Sequence, residues 1–277
     1  MELAQIIKEF TEIINFGYME KKEAIILEID RYAGWYINPI IVNIDEDQNQ
    51  EILALYGATE RTPILLVFKQ IENNWYLLYY EPFYIKYDNP ELCVANNYSA
   101  NKTFYVRCVH GSGSGYLHNV YHFYKLINGK VYPCLTLLHE ANISEWALML
   151  NQSTTADFSF NSMNSDDLWV DYRYNFYPGR IYEEDVPWAG HDDISFVTGT
   201  RSVKYIWDDS IKQYIPEYYD RPDDLTAEKI ECFEDFGNDE LFIKAFDYEI
   251  KKTLEDGTVE QKKVLKWYLK TIRNRSQ

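Results

Sequence analysis

The chain has 277 residues, a formal net charge of −17, 46% hydrophobic residues and 17% aromatic residues. Such a composition excludes a disordered chain, because it supplies enough apolar surface to build a core. The negative field repels nucleic-acid phosphates and anionic lipid and attracts a basic partner.

The first segment reads as an amphipathic helix, with Leu3, Ile6, Ile7, Phe10, Ile13 and Ile14 at three- and four-residue spacing and Gly17 as a stop. Glu2, Lys8, Glu9 and Glu12 fill its polar face, which is too acidic for a membrane-surface helix. They also interrupt any apolar signal region, so a cytoplasmic location is expected unless a signal peptide has been removed. No apolar run is long enough to span a bilayer.

From residue 24 the apolar period switches to two, predicting strands at 24–29, 36–44 and 52–56 around a polar turn at 45–50. That turn begins like a calcium loop, but Gln50 stands where glycine is needed and Tyr56 where glutamate is needed, so the pattern fails. A hairpin pattern then appears three times, at 65–80, 121–133 and 203–216, each an apolar strand, a short Asn/Asp turn and an aromatic return strand. Asn128-Gly129 is the strongest of these turns. The unequal intervals favour ordinary hairpin chemistry over duplicated units.

Residues 104–124 form a further predicted hairpin around the glycine run 111–115, expected to be a flexible tip. It is no phosphate loop, since a strand follows instead of a helix N-terminus. His110, His118 and His122 lie here. A loop centred on Gly113 sets Cys108 opposite His118 and Phe104 opposite His122, a thiol–imidazole arrangement that could activate a nucleophile. The ordinary alternative is a half-buried cysteine beside a partly exposed histidine.

Strands are expected at 157–160 and 168–177, then an acidic loop at 177–193 and a short strand at 194–197. The loop holds the densest group of hard-metal ligands, Glu183, Glu184, Asp185, His191, Asp192 and Asp193, which either gather a divalent cation or are solvated charges. Residues 225–236 read as a helix ending before Gly237. Residues 241–254 and 259–269 are expected to pair as a hairpin through Asp256-Gly257, with Phe246 facing Trp267, Tyr248 facing Leu265 and Asp247 facing Lys266. The competing reading is a helix carrying Val264, Leu265, Tyr268, Leu269 and Ile272.

The four cysteines show no metal-ligand spacing and are expected as free thiols, and no cofactor motif appears. Charge is uneven: residues 207–240 hold 12 acidic and 3 basic side chains, whereas 251–277 hold 8 basic and 3 acidic. The expected fold is mainly β (α+β), an antiparallel hairpin-rich sandwich, barrel or propeller-like arrangement. It has an N-terminal helix and a helix near 225–236, in one domain over 1–277 with a possible subdomain at 221–277. The expected function is a protein-interaction module, an inhibitor or immunity-type binder of a basic partner, rather than an enzyme. Asp208, Asp209, Tyr218, Tyr219, Asp220, Asp223, Asp224, Glu231, Glu234 and Asp235 are its candidate contact residues. The alternative is a carbohydrate-binding or hydrolytic β-protein using aromatic residues and paired carboxylates.

Overall fold

A computed structural model describes residues 39–217 and 239–275, apart from interruptions at 46, 60–61, 73, 84, 86–89, 96–101, 145–149, 161–166, 180–185 and 192. The expected helices at the N-terminus and at 225–236, and the strand at 24–29, lie outside these residues. Twelve antiparallel strands are described: β1 (Ile40–Val42), β2 (Glu51–Thr59), β3 (Thr62–Ile71), β4 (Asn74–Pro82), β5 (Glu91–Val94), β6 (Thr103–Gly113), β7 (Tyr116–Ile127), β8 (Lys130–Ile143), β9 (Leu150–Phe160), β10 (Leu168–Pro178), β11 (Val197–Asp208) and β12 (Gln213–Pro216). Three helices follow: α1 (Asp239–Ala245), α2 (Asp247–Asp256) and α3 (Val259–Arg275). Hydrogen bonding orders the strands β1-β2-β3-β4 in one sheet and β12-β11-β10-β9-β8-β7-β6-β5 in the other. The mainly β class therefore holds, while among the described residues neither sheet closes into a barrel and a continuous eight-stranded sheet is not a set of propeller blades. Among the described residues no helix is long and apolar enough to cross a membrane.

All three repeated hairpins form, as β3–β4, β7–β8 and β11–β12. The β7–β8 turn places Asn128 and Gly129 at φ 51° and 74°, the positive values that make Asn-Gly the favoured two-residue hairpin turn.

The chain divides into two compact units, one containing residues 1–110 and 121–136, the other 111–120 and 137–277. In the first, β2 and β3 are buried on both faces: Ile52, Ala54, Tyr56, Ile64, Leu66 and Phe68 form a cluster on one side with Trp75 and Leu77. The opposite side carries the cross-strand pairs Leu53–Val67 and Leu55–Leu65. In the second unit, β10 alternates between buried Leu168, Val170, Tyr172, Tyr174 and Phe176 and more exposed intervening residues. The helices cover the apolar side: Phe246 lies 5.1 Å from Tyr174 and 4.6 Å from Phe176, and Tyr268 lies 5.2 Å from Phe196 between ring centroids.

The C-terminal hairpin expected from Asp256-Gly257 is not formed. Gly257 caps α2, donating its N–H to the Thr253 carbonyl at 2.9 Å. Thr258 and Gln261 then bond reciprocally, Thr258 N–H to Gln261 Oε1 at 2.9 Å and Gln261 N–H to Thr258 Oγ1 at 3.2 Å. This capping box starts α3. Val264, Leu265, Tyr268 and Ile272 face the core, so the helical period wins because it buries these side chains against the sheet. Asp247 pairs with Lys251 one turn on, at 2.6 Å, not with Lys266.

The glycine-rich tip of β6–β7 is tightly packed rather than loose. Ser114 and Gly115 form the turn at φ 51° and 79°, and the Ser144 N–H donates to the Gly115 carbonyl at 2.8 Å. A Cβ on Gly115 would lie 2.1 Å from the Ser144 carbonyl oxygen. Gly115→Ala combines this clash with a strained φ and is expected to lower stability by about 3 kcal/mol, read as a shift of the urea midpoint.

Candidate functional site

The turn at Ser114–Gly115 lies beyond Gly113 and moves the register away from the expected pairing. Phe104 stacks on Tyr124 at 5.4 Å, and His122 instead meets Thr136, with Nδ1 3.1 Å from Oγ1, and Phe83 at 5.3 Å between ring centroids. His118 lies edge-on to Tyr116. Cys108 is buried on the side of β6 that carries Phe104 and Val106, and desolvation together with the nearby Glu81 charge pushes its thiol up to about 12. The thiolate that a nucleophile requires is therefore suppressed. Burial pushes Cys134 up to about 12 as well, whereas Cys93 is partly exposed. Brief alkylation of the native protein at neutral pH is expected to label Cys93 and spare Cys108 and Cys134 until denaturant is added, as read by peptide mass spectrometry.

Of the loop ligands, Glu183, Glu184, Asp185 and Asp192 lie outside the described residues. His191 lies 6.2 Å from the Trp267 ring, and Asp193 is exposed. Among the described residues, the carboxylates with spacing suited to a cation are Asp45, Asp47 and Glu51, whose ligand atoms lie within 4.8 Å of one another. Glu51 and Lys69 are directly opposed on β2 and β3, and the polar turn brings Asp45 and Asp47 to the same place. The Lys69 ammonium reaches Asp45 at 2.6 Å, Asp47 at 2.8 Å and Glu51 at 2.9 Å. Lys69 thus supplies the cation itself. The calcium-like start of 45–49 was legible in the sequence, but the lysine that completes it comes from another strand.

A second polar centre in the first unit fastens the two sheets. Tyr79 and Tyr124 both donate to Glu81 Oε2, at 2.6 Å and 2.9 Å. Desolvation, reinforced by Glu81, raises both phenols well above their ordinary value, so both remain donors. In the second unit, Tyr174 and Arg201 hold Glu249 of α2 at 2.9 Å and 2.6 Å, tying helix to sheet.

The side of β9–β11 away from the helices forms an open polar face. Register places Asp157 directly opposite Asp171, and Asp171 opposite Ser202. Trp169 is opposite Ser159 on one side and Lys204 on the other. Trp169 is 38% exposed and Ile206 42% exposed. Arg173 bridges to Asp157 at 2.7 Å, Lys204 bridges to Asp167 at 2.8 Å, and Ser202 donates to Asp171. Both side chains of the Arg173–Asp157 pair are about 60% exposed, so the bridge contributes little to stability.

Among the contact residues selected from sequence, Asp208 and Asp209 shape the β11–β12 turn. Asp208 accepts from the Ser210 hydroxyl at 2.6 Å and its N–H at 2.8 Å, holding its carboxyl below the ordinary value. Asp209 pairs with Lys212 at 2.5 Å, with the same direction of shift. Tyr218, Tyr219, Asp220, Asp223, Asp224, Glu231, Glu234 and Asp235 lie outside the described residues. Trp169, Asp157 and Asp171 were not selected, although the alternation Leu-Trp-Val-Asp-Tyr-Arg-Tyr-Asn from 168 marks one face as polar. Comparison with protein-family models, curated proteins and solved structures gives no match.

Proposed function

We propose that the protein is an interaction module that binds a basic protein partner on the open face of β9–β11, as an inhibitor or immunity-type binder would. The observation that carries this reading is the opposed pair Asp157 and Asp171 beside exposed Trp169. Like charges directly opposite one another weaken a sheet; Arg173 offsets the Asp157 half of the pair, while Asp171 takes a serine hydroxyl and, among the described residues, no cation. A lysine or arginine from a partner, seated at Asp171, would give that carboxylate the kind of cation that Asp157 has in Arg173. Trp169 and Ile206 supply the apolar centre, and Asp157, Asp171, Arg173 and Lys204 around them supply the polar rim that interfaces carry. The charge of 207–240 adds long-range attraction for the same class of partner.

The hydrolytic alternative is less well supported. A glycosidase needs one carboxyl kept protonated by a buried setting, and Asp157 is 59% exposed on an open strand face. The test is affinity capture from the native host with the wild-type protein and with a Trp169→Ala, Asp171→Asn variant. The proposal expects a basic protein retained by the first and lost by the second. Equal retention by both, or glycoside hydrolysis that depends on Asp157 and Asp171, would contradict it.

A further inference from the structure

Helix α3 reverses the charge of the rest of the chain. It carries Lys262, Lys263, Lys266, Lys270, Arg273 and Arg275 against the single acid Glu260, leaving −22 elsewhere. Val264, Leu265, Tyr268 and Ile272 occupy the buried side, so Lys263, Lys266, Lys270 and Arg273 recur at three- and four-residue spacing along the opposite, exposed side. They form a line about 15 Å long. Lys263 lies over the Trp267 ring at 4.6 Å, and Val259, 82% exposed, stands on the same side at the start of the helix.

We propose that this line of cations is a second docking surface, and that its occupant is an acidic helical segment of a protein partner. Charge complementarity sets the sign, and the geometry sets the class. Acids at three- and four-residue spacing on one helix face match the cation spacing, with Val259 available to an apolar side chain at one end. A membrane fits poorly: the apolar side of α3 is already spent on the core, and the remaining −22 would meet the same anionic surface. A duplex fits poorly for the second reason, since its phosphates extend well past a single short line of cations. This surface does not depend on the open face of β9–β11, and a protein carrying both would join a basic partner to an acidic one.

The experiment uses the full chain and a synthetic helical peptide of about 18 residues with glutamate at three- and four-residue spacing. Binding is measured by fluorescence anisotropy, with vesicles containing phosphatidylserine and a short DNA duplex run in parallel. The peptide should bind and lose about tenfold in affinity between low and high salt. It should lose at least as much in Lys263→Gln, Lys266→Gln, Lys270→Gln, Arg273→Gln, and should keep its affinity in the α2 control Lys252→Gln. Absence of peptide binding, indifference to the fourfold variant, or tighter binding of vesicles or duplex than of the peptide would each overturn the proposal. Trp169→Ala should leave peptide binding unchanged, which separates this surface from the open face.

Discussion

Lys69→Met is expected to be the most destabilising single substitution at the polar centres, costing about 3–5 kcal/mol in chemical denaturation, because it leaves buried carboxylates without their cation. Glu51 is fully buried and Lys69 nearly so, and both take part in the same cluster with Asp45 and Asp47. The pH dependence follows from the direction of each shift. The hydrogen bond from Lys69 holds Asp47 at about 2, below its ordinary 3.8, so its contribution is present above that value and lost as pH falls toward 2. Burial raises Glu51 above its ordinary 4.5, so its contribution is present below 4.5 and lost as pH rises through the folded value. Burial alone would lower Lys69, but the bonds from Asp45, Asp47 and Glu51 outweigh it and raise the ammonium above its ordinary 10.5. Its contribution is full below 10.5 and lost above the folded value. In Lys69→Met, protonation relieves the remaining repulsion, so the gap from wild type should narrow as pH is lowered from 7 toward 4. A gap that stays constant over that range would mean the loss is one of packing and not of charge.

The second large effect is expected at Trp169. A partly exposed tryptophan at the centre of a face rimmed by charged side chains is the kind of side chain that carries a disproportionate share of binding energy. Trp169→Ala should weaken partner binding by about 2–4 kcal/mol, roughly 30- to 1,000-fold. Its own fold should be nearly unaffected, because the side chain points away from the helices and the core. Asp171→Asn should act mainly on the association rate, and Tyr172→Ala, which opens a hole on the buried side of the same strand, should instead unfold the protein. Reading the three together separates the face from the core beneath it.

Much of the sheet was legible because strand signals here are local. Asn128-Gly129 needs only its own φ values to turn a hairpin, and the alternation from Leu168 declares which side chains share a face. The C-terminal error came from a dipeptide with two uses: Asp256-Gly257 suits a hairpin turn and equally suits the end of a helix. The deciding signal was present, since Thr258 and Gln261 stand at capping-box spacing before an apolar run. The Cys108–His118 pairing was read from a turn centred on Gly113, and a displacement of the turn to Ser114–Gly115 changes which side chains meet. The ionic centre at Lys69 was beyond sequence reading for a related reason. Asp45 and Lys69 are 24 residues apart, and only the pairing of β2 with β3 brings them together. The opposed Asp157 and Asp171 likewise appear only once β9 and β10 are in register.

The open face of β9–β11 is the proposed place where a basic partner binds. Its most direct test is the association rate of the captured partner with wild type and with Asp157→Asn, Asp171→Asn, measured by stopped flow over a salt series. The predicted result is a slower rate for the double variant at low salt, by a factor of about 10, a shallower salt dependence, and convergence with wild type once the charges are screened. Rates and salt slopes that coincide for the two proteins would contradict the claim and leave the face as solvated surface.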